Sequence, residues 1–125
     1  MIISKEGLSA VPGFKGSGIH CGIKQVKNPD LALIWSETEC NAAGVFTQNR
    51  VVASSVTITR GKLFKRGKAR AIIINSGNAN VCTGPEGKRS SLAAIKAAAK
   101  ALEVSEEDIL IASTGKISEP LPIQN

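Results

Sequence analysis

Short apolar runs broken by polar and glycine-rich stretches dominate the chain, and only one segment carries a long helical period. Residues 69–75 (Ala-Arg-Ala-Ile-Ile-Ile-Asn) are the clearest strand. Three consecutive isoleucines fit a strand buried on both faces. Residues 31–36 form a second buried run. Residues 17–25 read as a strand with close-packed glycines, and the Asn28-Pro29-Asp30 turn signal between the two runs suggests a hairpin. A short strand is expected from Ala43 to Thr47, and a last one over Ile109 to Ala112. The helical period runs from about Pro85 to Leu102. There Leu92, Ile95, Ala99 and Leu102 would face a sheet. Thr83 is the candidate N-cap, Pro85 sits in the first turn, and Glu86 suits the positive helix end.

Residues 51–64 fit two structures. Val51, Val52, Val56 and Ile58 favour a strand by composition, whereas Ala53-Ser54-Ser55 would open a short helix. Residues 1–16 read as an irregular lead-in, 105–108 as a polar break or a single helical turn, and Pro120 and Pro122 enforce irregular structure near the end. Hairpins at the start and strand, helix, strand at the end argue α/β or α+β architecture. The length predicts a single domain over 1–125 with no internal boundary.

Composition narrows the core and the function class. With 3% aromatic residues and no tyrosine, the core is built from Ile, Val, Leu and Ala. The net charge of +6 is spread along the chain, and its densest cluster, Arg60 to Arg70, lacks the interleaved aromatics of a nucleic-acid stacking platform. A solvated basic face is expected, with no nucleic acid. No apolar run approaches membrane-spanning length, and residues 1–10 lack the apolar core of a signal peptide. Three widely spaced cysteines, Cys21, Cys40 and Cys82, form neither a disulfide framework nor a zinc pattern. A reduced cytoplasmic protein without a metal or bound cofactor is expected.

Three constellations could carry chemistry. His20 adjoins Cys21, but neighbours on a strand point to opposite faces and do not form an activated pair. Cys21 and Cys82 read as small buried apolar residues. Asn75-Ser76-Gly77-Asn78-Ala79-Asn80 lies where a buried strand ends and a helix begins. Such a segment either offers amides to an anion or is a tight turn tolerant of left-handed dihedrals, and the residues alone leave both open. Ser113-Thr114-Gly115 also follows a buried strand. A hydroxyl beside a glycine N–H supplies two donors for a developing negative charge, although this tripeptide is also a common way out of a strand.

Residues 75–84 (Asn-Ser-Gly-Asn-Ala-Asn-Val-Cys-Thr-Gly) and 112–122 (Ala-Ser-Thr-Gly-Lys-Ile-Ser-Glu-Pro-Leu-Pro) resemble two signatures of the ornithine acetyltransferase family of arginine biosynthesis. Gly13-Phe14, Gly22-Ile23-Lys24, Asp30-Leu31-Ala32-Leu33 and Ala43-Gly44-Val45-Phe46-Thr47 match the family's opening in order. The resemblance implies the N-terminal part of that layered sheet-and-helix sandwich. It implies a precursor that cuts itself once into alpha and beta chains, which assemble as a hetero-oligomer. The beta chain's N-terminal Thr is the nucleophile, and it carries acetyl from N-acetylornithine to glutamate. Acetyl-CoA serves as donor in some members. The resemblance assigns Thr114 and Gly115 to the oxyanion hole and gives His20 and Cys21 no role. It places the nucleophile beyond Asn125, so these residues alone are expected to be inactive. A noncatalytic interaction domain and a basic nucleic-acid-binding module are the competing readings.

Overall fold

The computed structural model describes residues 7–124. Strands β1 (Phe14–Ile19), β2 (Leu31–Asn41), β3 (Lys68–Asn78) and β4 (Ile109–Lys116) form one sheet in the order β1-β2-β3-β4. The first three pair antiparallel, and β3 and β4 run parallel. Helix α1 (Ser54–Arg66) joins β2 to β3, and helix α2 (Gly84–Leu102) is the crossover from β3 to β4. A parallel pair needs such a crossover, because a tight turn only reverses the chain. The mixed sheet with two helices is the α/β class that the sequence predicts.

Pairing of Ile73 with Leu33 and Ile111 puts these residues on one face of the sheet. That face meets Ile95, Ala98 and Ala99 of α2 and Ile58 of α1, with Ala71 and Ile109 completing the core. Ile95 and Ile109 are fully enclosed. Ile72 and Ile74 point the other way and are only half buried, so the isoleucine run is not enclosed on both sides here. Leu92 is 40% exposed. It lies beside, not on, the stripe of Ile95, Ala98, Ala99 and Leu102 that packs.

Several local expectations give way. The strand expected at 17–25 is displaced to Phe14–Ile19, which takes in part of the expected lead-in, and 20–30 form a loop. Gly22 adopts φ 84°, and Asp30 draws the Cys21 and Lys24 N–H groups away from any ladder. Residues 43–47 are not a strand. The 51–64 ambiguity resolves as helix α1, which ends at Gly67 with φ 61°. Residues 7–10 form a 3-10 turn. Glu106–Asp108 form one helical turn capped by the Ser105 hydroxyl, as the polar break allows.

Helix α1 also closes the outer edge of β4. Lys62 Nζ donates to the Ile109 carbonyl at 2.9 Å and to that of Glu106. Arg66 bridges Asp108 and Glu39 at 2.8 and 2.9 Å, and Lys68 pairs with Glu39 at 2.7 Å. Arg70 lies 4.4 Å over the Trp35 ring and donates to the Glu37 carbonyl at 2.5 Å. Four members of the densest basic cluster are thus occupied in joining α1, β2, β3 and the start of β4.

Candidate active site at the ends of β3 and β4

Thr114 and Gly115 lie inside β4, not in a loop after it. Ser76 pairs with Thr114 and Gly77 with Gly115, and then the register breaks so that Asn78 faces both Thr114 and Lys116. Strand alternation separates the two hydroxyls of this segment. Ser113 Oγ is enclosed and unpartnered, whereas Thr114 is exposed on the face of Ile72 and Ile74. Thr114 is therefore the hydroxyl that a reactant can reach.

Gly115 has φ 133°, a conformation that side chains oppose. A Cβ there would collide with the Gly77 carbonyl carbon and the Asn78 nitrogen. The strand ends approach so closely that only glycine fits. Beyond them opens a cleft of about 450 Å³ bordered by Gly77, Gly115, Lys24, Gln25 and Lys116. The Lys24 stem lies against Gly77, where an added Cβ would be 2.9 Å from Lys24 Cγ. Lys24 and Lys116 bring ammonium groups to the cleft's rim, that of Lys116 paired with Glu119 at 3.4 Å. An exposed hydroxyl followed by a strand-end N–H suits a reaction that builds negative charge on an oxygen.

The asparagine-rich segment faces inward. Asn75, Asn78 and Asn80 are all buried. Asn75 Nδ2 donates to the Asn78 carbonyl at 2.7 Å. Asn78 Nδ2 donates to the Glu119 and Pro120 carbonyls at 3.0 and 3.1 Å. Asn80 Nδ2 donates to the Gly87 carbonyl and Ser91 Oγ, both at 2.8 Å. Their amides are spent within the chain, which speaks against the anion site, and the segment is not a tight turn throughout either, because Asn75 to Asn78 continue β3 and only 79–83 are irregular. Thr83 occupies the N-cap position of α2, but its hydroxyl donates to Asn80 Oδ1 at 2.8 Å instead of capping the helix. Asn80 itself holds φ 50°, which asparagine tolerates.

Asp30 stands in the turn signal and in one of the family motifs but was given no role by the sequence, yet it organises the loop over the cleft. Its enclosed carboxylate accepts from the Cys21 and Lys24 N–H groups at 2.7 and 2.8 Å and lies 3.2 Å from His20 Nδ1. Burial opposes its ionisation, but these donors win and hold the carboxyl well below the usual range. Burial, and then Asp30 itself, push the Cys21 thiol up. His20 and Cys21 thus converge on Asp30 in a loop, but the thiol is held protonated, the opposite of what a nucleophile needs. Cys82 is exposed and not a buried apolar residue. Among the described residues no group of side chains could hold a metal ion. The sequence cues to Asp30 are its place at the end of a turn signal and at the head of a family motif, directly before an apolar strand. Nothing in the pattern places Lys24 beside Gly77.

The sequence pattern of the ArgJ family matches residues 15–125. The chain belongs to the ArgJ family. It is 48% identical to an arginine biosynthesis bifunctional protein ArgJ of Gloeobacter violaceus, over 94% of this chain and 29% of that protein. A Caldanaerobacter subterraneus ArgJ is 50% identical over 90% of this chain and 27% of that protein. The chain thus spans less than a third of the length of these relatives. The ArgJ crystal structure from Bacillus halodurans superposes with a TM-score of 0.89 at 35% identity, over 94% of this chain and 61% of that one. Ornithine acetyltransferase from Mycobacterium tuberculosis, solved with ornithine, superposes at 0.84 with 40% identity, over 94% and 64% of the two chains. The sheet described here is therefore the N-terminal part of the ArgJ fold.

Proposed function

We propose that these residues are the alpha-chain portion of a glutamate N-acetyltransferase/ornithine acetyltransferase, with Thr114 and Gly115 as its oxyanion hole. The carrying observation is the pair itself. An exposed hydroxyl and a sterically obligate glycine sit side by side at the end of β4, where Gly115 borders a cleft rimmed by Lys24 and Lys116. In this reading a beta chain, released by one self-cleavage, supplies an N-terminal Thr. Its oxygen attacks the acetyl carbonyl of N-acetylornithine, and the carbonyl oxygen becomes an oxyanion. The C–N bond breaks, ornithine leaves with a proton on its amine, and an acetyl-threonine ester remains. The glutamate amine attacks that ester, the C–O bond breaks, and the Thr hydroxyl regains its proton. No cofactor enters, and acetyl-CoA is at most an alternative donor. The enzyme is a hetero-oligomer of the two chains in the cytoplasm, where thiols such as Cys21, Cys40 and Cys82 remain reduced.

The test is a chimera in which this chain replaces the matching part of the Caldanaerobacter ArgJ. Thr114→Ala in the processed chimera is expected to lower kcat by about 10²–10³ with little change in KM, since the donor acts on charge present only in the transition state. Thr114→Ser keeps the hydroxyl and should keep most activity. A processed Thr114→Ala protein with wild-type kcat would remove Thr114 from the mechanism.

A further inference from the structure

Asn78 is the point at which the two strand ends and the segment after them are tied together. Its backbone faces Thr114 and Lys116 in the broken register of β3 and β4. Its nitrogen and the Gly77 carbonyl carbon form the surface on which Gly115 is seated. Its carbonyl accepts from Asn75 Nδ2 at 2.7 Å. Its side-chain oxygen accepts from the Asn80 N–H at 2.8 Å, and Nδ2 donates to two successive carbonyls, Glu119 and Pro120, at 3.0 and 3.1 Å. The residue is 3% exposed, so water does not replace these partners. Backbone bonds run alongside, from Ala79 N–H to the Lys116 carbonyl at 2.8 Å and from Ser118 N–H to the Val81 carbonyl at 3.0 Å. Every polar atom of Asn78's side chain is therefore spent on the segment that holds Thr114 and Gly115 or on the turn behind it.

We propose that Asn78 is a positioning residue for acetyl transfer. Its backbone seats the Gly115 peptide, and its amide pins the 116–120 exit, so that Thr114 Oγ1 and Gly115 N–H converge on one oxygen. This role rests on the oxyanion-hole reading above. Asparagine suits it because one side chain must offer an acceptor and two N–H donors in a fixed plane. Aspartate has the same shape, but its charged oxygen faces the two carbonyls.

The experiment uses the processed chimera with Asn78→Asp and, in parallel, Thr114→Ala. Displacing a reacting group by about 1 Å costs about 10²-fold, so Asn78→Asp is expected to lower kcat by about that factor with KM nearly unchanged. Two facing carbonyls raise the introduced carboxyl's pKa, and its protonated form regains one O–H donor. The ratio of wild-type to variant kcat should therefore shrink as the pH is lowered. A purely structural role would lower the yield or Tm and leave kcat per folded enzyme, and its pH profile, unchanged. That result would overturn the proposal, as would a rise in KM at constant kcat. Should Asn78→Asp fail to fold, Asn78→Ser keeps an acceptor in a smaller volume and is judged by kcat and KM in the same way. If Thr114→Ala lowers kcat but the Asn78 variants do not, the positioning role fails alone. If Thr114→Ala has no effect, the oxyanion-hole reading fails first.

Discussion

The Thr59 hydroxyl closes the outer edge of the sheet at Ile111, donating to its carbonyl at 2.6 Å and accepting from its N–H at 3.0 Å. One side chain thus satisfies both backbone groups of an edge-strand residue. An edge left open is a template for pairing with another chain. Helix α1 does on this side what a fifth strand would otherwise do.

Thr59→Val should therefore destabilise this chain by ~1–3 kcal/mol, since a buried donor and acceptor lose their partner together. Urea denaturation measures the loss, and light scattering should show increased self-association through the exposed β4 edge. A variant as stable and as monodisperse as wild type would contradict the edge-closing role.

Gly115→Ala should be poorly tolerated. The added methyl group meets backbone, which cannot swing aside as a flexible side chain can, and φ 133° is unfavourable for alanine in any case. Gly61→Ala, in an exposed part of α1 with nothing within 4 Å of the added carbon, is the matched control and should hold or gain stability. Equal melting temperatures for the two variants would refute the close approach of β3 and β4.

Ile95→Ala should cost ~2–5 kcal/mol, whereas Leu92→Ala should stay within ~0.5 kcal/mol. The two residues share a helix but not a face, because Ile95 is fully enclosed and Leu92 is 40% exposed. Comparable losses at both positions in chemical denaturation would mean that α2 is rotated from the orientation described.

The Asp30 carboxyl gives a pH prediction. Its pKa in the fold lies below the ordinary carboxylate value, so the unfolded chain binds the proton first as the pH falls. The stability it contributes is complete above the unfolded value of about 4 and is lost as the pH falls toward the depressed folded value. Asp30→Asn should be less stable than wild type near neutrality, and the gap in Tm should narrow on acidification to about pH 3. A gap independent of pH would mean that the carboxylate's charge is not what holds the Cys21 and Lys24 N–H groups.

The residues 1–125 alone should not turn over N-acetylornithine. Covalent transfer needs an activated nucleophile. Burial and Asp30 hold the Cys21 thiol protonated, and Thr114 has no base beside it among the described residues. Turnover by the purified chain would reopen His20, which touches Asp30.

What the sequence by itself determined is what depends on local composition and period. The isoleucine run from 72 to 74 dictates a strand, and the spacing of Ile95, Ala99 and Leu102 dictates helix α2 with Pro85 in its first turn. The ordered motifs were enough to indicate the family and to single out Thr114 and Gly115. What only the tertiary structure decided depends on partners distant in the chain. Residues 54–64 are helical although Val56 and Ile58 favour strand, because α1 packs Ile58 into the core and docks Thr59 on a strand 52 residues away. Residues 20–25 are pulled out of a ladder by a carboxylate that follows them. The asparagines could have faced solvent or the interior with equal plausibility. They face inward because Gly87, Ser91, Glu119 and Pro120, up to 42 residues away, bring carbonyls and a hydroxyl within reach of amides that could not otherwise be buried without cost.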